Sequence, residues 1–368
     1  FAQYKAHPKN FEKLGNIEIC RVPLISRGSS KIRLAINYLS FLMSSCIIGS
    51  FKLRHAEFDK IFVYQVSPMT VGLTAVLFSR LKKAPIYFWV LDQWPETLVA
   101  MGIIKSKYSI AIFAAMTRFI YANCTAILGQ SQPFLDKISE HGVEADRLYY
   151  FPNWAEDIFD NKTVKAAPEI KRDKTSFIIL FAGNIGEAQG FDAVINAARE
   201  TAIIPEIQWV IVGSGRNWHA TNKQINELGL QNITLKGGYP LERMPEFYAA
   251  SDALLVTLKR DILFNITIPG KLQSYMLAGK PILGMLDGAG ADLIKQANAG
   301  LVCDAENFSQ LAANALLLYR LSKKQQKEFG RRGREFAKKN FNRVDIIASL
   351  EDLFQNTPVN NGKIINDK

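Results

Sequence analysis

The chain's 368 residues, 48% of them hydrophobic, hold enough apolar mass for two cores of ordinary size. Four widely spaced cysteines (Cys20, Cys46, Cys124, Cys303) without a Cys-x-x-Cys pair, and four equally scattered histidines, argue against a disulfide framework and a protein metal site. The net charge of +11 is uneven, with 18 Lys/Arg against 10 Asp/Glu in residues 1–150 and 27 against 24 in the rest; this suits an anionic membrane surface or a diphosphate-bearing partner, and no motif supports nucleic acid.

In chain order, apolar strands are predicted over residues 17–22, 61–65, 86–90, 126–128 and 148–151, alternating with helices over 32–51, 70–82, 108–122 and 133–141. Such alternation reads as a parallel α/β sheet. Residues 34–51 form an 18-residue run without formal charge, with Lys31 and Arg33 before it and Lys52 and Arg54 after it. Asn37, Ser40, Ser44, Ser45 and Gly49 dilute its hydrophobicity. Three readings stay open: a helix packed on the sheet, an interfacial helix, or a membrane span. Asp92 and Glu96 follow the strand 86–90, so Asp92 emerges at a carboxyl end, where open α/β sheets place ligands. The alternative is that Asp92 caps the turn that follows it.

Pro152-Asn153-Trp154 and the mixed stretch 156–174 read as a link between domains. A second α/β domain is predicted over 175–342, with strands near residues 177, 208, 233, 253, 281 and 300. Residues 356–368 read as a polar, frayed tail. The second domain carries the most informative pattern. An apolar run over 177–182 leads into Gly183-Asn184-Ile185-Gly186, then Gln189-Gly190 and a helical stretch. Residues 209–212 run into Gly213-Ser214-Gly215-Arg216. Glycine after a strand lets backbone approach a ligand, and the following helix offers N–H groups and a positive dipole end. A third loop, Thr267-Ile268-Pro269-Gly270-Lys271, opens a short helix closed by Gly279, and Lys271 is a point charge suited to phosphate. Together these predict a site for a nucleotide diphosphate.

The succession Phe181-Ala182-Gly183-Asn184-Ile185-Gly186, Gln189-Gly190, Val212-Gly213-Ser214-Gly215 and Ile268-Pro269-Gly270-Lys271-Leu272-Gln273-Ser274-Tyr275 resembles the family-four retaining glycosyltransferases. Within them it is similar to the bacterial branch that builds O-antigen, lipopolysaccharide and capsule repeats, including N-acetyl-L-fucosamine transferases. Asp92-Gln93-Trp94-Pro95-Glu96 is similar to that branch's Asp-x-Trp-Pro-Glu segment. The resemblance implies a GT-B architecture: two Rossmann-like parallel-sheet domains facing across a cleft. It places residues 1–155 on the acceptor side, 175–342 on the nucleotide-sugar side, and a return helix over 343–355. Family members usually begin with a strand and glycine-rich turn, so the resemblance also implies that an opening β-α unit is lacking here.

What the resemblance implies for chemistry is transfer of a sugar, such as N-acetylfucosamine, from a UDP-sugar to an undecaprenyl-diphosphate-linked saccharide at the cytoplasmic face of the inner membrane. No cofactor or metal is expected beyond the donor. Asp92 would orient or deprotonate the acceptor hydroxyl, with Glu96 assisting. Gly183, Asn184, Gly186, Gln189, Gly213, Gly215, Arg216, Pro269, Gly270 and Lys271 would surround the diphosphate, and Gly237 and Tyr239 lie where the family holds the base. Asn184 and Gln189 stand where many members have Arg and Lys, and the Glu-x7-Glu signature falls on Ile266 and Ser274. The ribose carboxylate is therefore absent, and Gln273 or Ser274 is its expected substitute. A sugar-nucleotide epimerase or hydrolase, and a catalytically silent sugar-nucleotide binder, are the alternatives.

Overall fold

The computed structural model describes residues 11–26, 30–100, 102–160 and 164–356; the tail predicted over 356–368 lies, beyond Asn356, outside them. The chain forms two compact units, residues 1–151 with 352–368, and residues 152–351.

The first unit opens with an antiparallel hairpin, β1 (Phe11–Leu14) and β2 (Ile17–Cys20). This corrects the expectation that 17–22 joins the parallel sheet. The two-residue link Gly15-Asn16 permits only a hairpin, and Glu12 and Lys13 disguise its first strand. Next come helix α1 (Lys31–Ser44), a π-helical turn (Ser45–Gly49) and α2 (Ser50–Lys52), one continuous rod. Ser30 caps the rod by accepting from the backbone N–H of Arg33.

The sheet proper is parallel, in the order β3 (Ile61–Gln65), β4 (Ile86–Val90), β5 (Ala126–Gly129), β6 (Leu148–Tyr150). Its connections carry α3 (Val71–Lys82), α4 (Glu96–Ala100), α5 (Lys107–Ala122) and α6 (Gln132–Ser139). Strand order follows chain order, so right-handed crossovers put α3, α5 and α6 on one face. Every residue of β4 is buried, as a strand covered on both faces requires. Phe354 packs edge-on against Phe62 and Tyr87, at 6.1 and 4.6 Å between ring centroids.

The second unit contains β7 (Phe177–Ala182), α7 (Phe191–Thr201), β8 (Ile207–Val212), α8 (Trp218–Glu227), β9 (Ile233–Leu235), α9 (Met244–Ala249) and β10 (Ala253–Thr257). It continues with α10 (Ile262–Ile266), α11 (Lys271–Ala278), β11 (Ile282–Met285), α12 (Gly288–Gln296), β12 (Gly300–Cys303), α13 (Phe308–Arg320), α14 (Lys323–Asn340) and α15 (Arg343–Asn356), whose last turn belongs to the first unit. All strands are parallel, in the order β9-β8-β7-β10-β11-β12. That is the doubly wound dinucleotide-binding order, which reverses direction between β7 and β10. Apolar side chains fill a core on each face of this sheet.

Residues 156–174, read from sequence as a link, are built into this unit where described. Phe159, Ala167 and Ile170 are buried in its core, and Asp160 pairs with Arg334 and Lys338. Three apolar residues among charges were too sparse to read as core.

Candidate active site

Three loops meet at the carboxyl ends of β7, β8 and β9. The Gly183 N–H donates to Val212 O at 2.9 Å, the Ile185 N–H to Ser214 O at 2.9 Å, and the Gly213 N–H to Gly237 O at 2.7 Å. These bonds extend the sheet beyond its strands and splice the elbows together. Gly213 shows why the residue type is required. Its φ is +151°, and a Cβ there would lie 1.8 Å from the Gly183 carbonyl oxygen. Gly215 is similarly pressed against Ile185 O and the Asn184 side chain. Gly186 donates its N–H to Gln189 Oε1 at 3.0 Å, so Gln189 shapes the loop from within.

Helix α11 delivers the cation. The Tyr275 hydroxyl donates to Ala182 O at 3.1 Å and accepts from the Ala182 N–H at 2.8 Å, fastening the helix to the end of β7. This holds Lys271 Nζ 3.6 Å from the centre of the Phe181 ring. A Cβ on Gly183 would lie 2.8 Å from the same nitrogen. Lys271 is therefore brought against the first glycine elbow. Burial lowers its pKa from 10.5 to about 7. A buried lysine over a ring face, with backbone elbows beside it, is poised to gain charge when an anion arrives.

Gln273 is fully buried, and with its amide turned to suit the acceptors around it the nitrogen donates to the carbonyls of Pro269 and Gly270 at 3.2 and 3.1 Å. The amide expected to face a ribose thus braces the first turn of α11, while Ser274 is buried beside it. The Tyr239 ring is tilted 54° against that of Phe247 at 4.6 Å between centroids, with the Arg243 guanidinium 5.7 Å from its ring centre, and Gly237 joins it to the splice with β8. Arg216 is exposed at the end of the second elbow.

Two further residues escaped the sequence reading. Lys259, just past β10, pairs with Glu187 of the first loop, which also accepts from Asn217 Nδ2 at 3.2 Å. The Lys259 and Asn217 bonds hold the Glu187 carboxyl below its ordinary range, and the pair raises the Lys259 pKa. The backbone N–H of Lys259 donates to Ala188 O at 2.8 Å, and its side chain flanks Gly190. Here is a cation on the loop where Gln189 supplies none. Seventy-two residues separate Lys259 from Glu187, so no local pattern announces the pair.

In the first unit, the Asp92 carboxylate accepts from Trp94 Nε1 at 3.1 Å and is hydrogen-bonded by Thr97 and Ser67. Gln65 Oε1 steadies the turn by accepting from the Leu91 and Asp92 N–H groups at 3.3 and 3.4 Å. Burial raises the Asp92 pKa despite these bonds. Its partners are chiefly side chains, an arrangement suited to holding a proton acceptor in one orientation. Glu96 faces α6, with Oε1 3.4 Å from His141 Nε2 and 4.0 Å from Lys137 Nζ. Burial pushes its pKa up, but the His141 hydrogen bond and the nearby charges outweigh that, and the net shift is downward.

Residues 164–336 match the family described as Glycosyl transferases group 1. WcaI of Escherichia coli strain K12, named for glycosyl transfer in colanic acid biosynthesis, is 26% identical over 211 residues, 55% of this chain and 51% of its own. The 2-deoxystreptamine N-acetyl-D-glucosaminyltransferase of Niallia circulans is 26% identical over 153 residues, 40% of this chain and 38% of its own. The chain thus spans about half, or less, of the length of the curated relatives it matches. Among solved structures, Anabaena HepE in complex with UDP and glucose superposes with a TM-score of 0.67 at 15% identity, covering 85% of this chain and 82% of HepE. Thermosynechococcus elongatus sucrose-phosphate synthase gives 0.70 at 14%, covering 95% and 86%. WaaG, a glycosyltransferase involved in lipopolysaccharide biosynthesis, gives 0.64 at 16%, covering 91% and 86%. Residues 164–336 are thus similar to the group 1 glycosyl transferases, in a chain whose fold is that of the GT-B glycosyltransferases.

Proposed function

We propose that this chain is a retaining glycosyltransferase of surface-polysaccharide assembly. It takes a sugar, of the N-acetyl amino-sugar class that includes N-acetylfucosamine, from a UDP-sugar. The sugar passes to a saccharide carried on undecaprenyl diphosphate at the cytoplasmic face of the inner membrane. The single observation that carries this reading is the convergence of Lys271 and the spliced glycine elbows at the switch point of a doubly wound sheet. HepE, whose structure contains UDP and glucose, shares the fold, and WcaI supports the polysaccharide context.

Each group has a role. The elbows and Lys271 stabilise charge as the UDP leaves, which preorganised donors can do without a metal. Asp92 orients the acceptor hydroxyl and receives or relays its proton, and attack on the face vacated by UDP retains anomeric configuration. Glu96, held by His141 and Lys137, braces the Asp92 turn in this scheme.

The test incubates the purified chain with a panel of UDP-sugars, with and without an undecaprenyl-diphosphate-linked disaccharide, and follows products by mass. Transfer that requires the acceptor supports the reading. UDP release without acceptor would make the chain a hydrolase, and UDP-sugar binding without turnover would make it a silent binder; either result overturns the proposal.

A further inference from the structure

The rod Lys31–Lys52 (α1, the π turn and α2) is amphipathic the wrong way round for a helix in water. Its uncharged polar side chains face the protein. Asn37 and Ser45 are buried; Asn37 Nδ2 donates to Ile25 O, and Ser45 Oγ bonds Leu42 O and Thr74 Oγ1 at 3.0 and 2.8 Å. Ser40 accepts from the Ile25 N–H at 3.0 Å and donates to Asn37 O at 2.9 Å. One stripe of apolar side chains faces out. Ile32, Ile36, Leu39, Met43, Ile47 and Phe51 are 43–75% exposed. Steps of four, three, four, four and four residues lay them along one stripe, and the extra residue of the π turn offsets the drift of the repeated fours.

A second helix repeats the pattern. On α5 the buried Thr117 donates to Trp94 O at 3.1 Å, while Tyr108, Ile112 and Phe119 are exposed. Both helices pack on α3, and Tyr38 and Phe113 flank Trp94. Two neighbouring apolar faces of this size are not explained by contact with water.

The charges decide what covers them. No carboxylate occurs between Glu18 and Glu57, nor between Glu96 and Asp136, while these two stretches hold nine Lys/Arg. Arg54 lies 4.2 Å over the Phe51 ring, Lys107 5.5 Å from Tyr108 and Arg80 5.7 Å from Phe119. A cation beside each outermost aromatic suits the headgroup level of a bilayer, where rings and snorkelling cations anchor proteins. A second copy of the same surface would bring cation against cation.

We infer that the outward faces of α1 and α5 form a monotopic lipid-binding surface that inserts into one leaflet of an anionic membrane. Among the described residues, Ile32–Lys52 is the one helix long and apolar enough to cross a bilayer by length and composition. Its hydrogen-bonded polar face, fixed to the domain, instead keeps it lying along the interface. This deepens the peripheral-membrane part of the proposal above, and it is independent of donor chemistry.

Lys52 Nζ donates to Arg21 O at 2.9 Å, so charge reversal there would disturb the fold; the exposed stripe gives a cleaner test. The full chain is floated with vesicles of neutral lipid alone and of neutral lipid with 30 mol% anionic lipid, an arbitrary probe composition of roughly the charge density that draws polybasic segments. Flotation should favour the anionic vesicles, fall as salt rises, and be reversed by an alkaline carbonate wash. The double variant Leu39→Glu, Ile47→Glu should lose about tenfold or more in partitioning, with helical content and UDP affinity unchanged. Wild-type chain that stays soluble with every vesicle, or a folded double variant that floats as well, would overturn the inference. So would carbonate resistance, which marks a span, or a vesicle-indifferent dimer that the variant dissociates.

Discussion

Two helices show how differently the two units use apolar residues. Helix α7 presents Phe191, Val194, Ile195, Ala197 and Ala198 to the core and turns Glu200 outward. Helix α1 does the reverse, turning Asn37 and Ser45 inward and Leu39 and Met43 outward. Composition alone does not distinguish a helix whose apolar side covers a sheet from one whose apolar side is exposed. The direction of the stripe does. On the readings proposed above, the first unit would meet a membrane surface and orient the acceptor, and the second would close its backbone around a diphosphate.

That division of labour is open to attack at Asp92, where the largest effect is expected. Asp92→Asn keeps an oxygen for Trp94 Nε1 but loses the proton acceptor. Transfer should fall about 10²- to 10³-fold, the usual scale of general-base loss, with UDP affinity within about twofold. Because burial raises the Asp92 pKa, its ionised form is disfavoured by folding. That penalty is absent below the unfolded value of 3.8 and grows as pH rises through the folded value. At pH 7 the variant should therefore melt no lower than wild type. A clear drop in Tm would mean that Asp92 serves the turn and not the chemistry.

The tightness of the second unit is tested at Gly213. Alanine there meets both the positive φ and the Gly183 carbonyl, and should destabilise the unit by about 3 kcal/mol, at the upper end for single substitutions. Met43→Ser on the outward stripe should change stability by no more than about 0.5 kcal/mol. Chemical denaturation of both variants measures the contrast, and equal losses would erase it.

Much of this division was legible in the residues. The strands of the second unit stand out as short apolar runs closed by glycine, and Lys271 follows a proline-glycine helix start. What was not legible depends on partners far away in sequence. The β1–β2 hairpin is hidden because Phe11–Leu14 carries charges in its middle. The Glu187–Lys259 pair depends on β7 and β10 being neighbours. The burial of Gln273, with its amide against the Pro269 and Gly270 carbonyls, is likewise not announced by the residues around it. The outward direction of the α1 stripe was unreadable for a related reason, since apolar periodicity is the same whether core or lipid lies on that side.

A smaller effect concerns Lys271 itself. Lys271→Met should weaken UDP binding by about 2 kcal/mol, roughly thirtyfold, the scale of one charge-assisted hydrogen bond. Titration calorimetry would show it, and an unchanged affinity would remove Lys271 from the diphosphate site.

The smallest effect follows from the proton on that lysine. In the free protein its pKa is about 7, so at pH 8 most of the population is neutral. A diphosphate beside it favours the ammonium form, so UDP binding at pH 8 should take up about one proton, read from calorimetry in buffers of different ionisation enthalpy. Phosphate monoesters finish ionising near pH 6 to 7, so above that range UDP affinity should decline as pH rises and the recharging costs more. Stability of the free protein should move the other way. The unfolded chain holds the lysine proton up to 10.5 while the folded one releases it near 7, so this group's contribution to stability rises between those values. Lys271→Met should flatten both trends. Proton release on binding, or a pH profile shared by wild type and variant, would show that the anion is held by the glycine elbows without the lysine's charge.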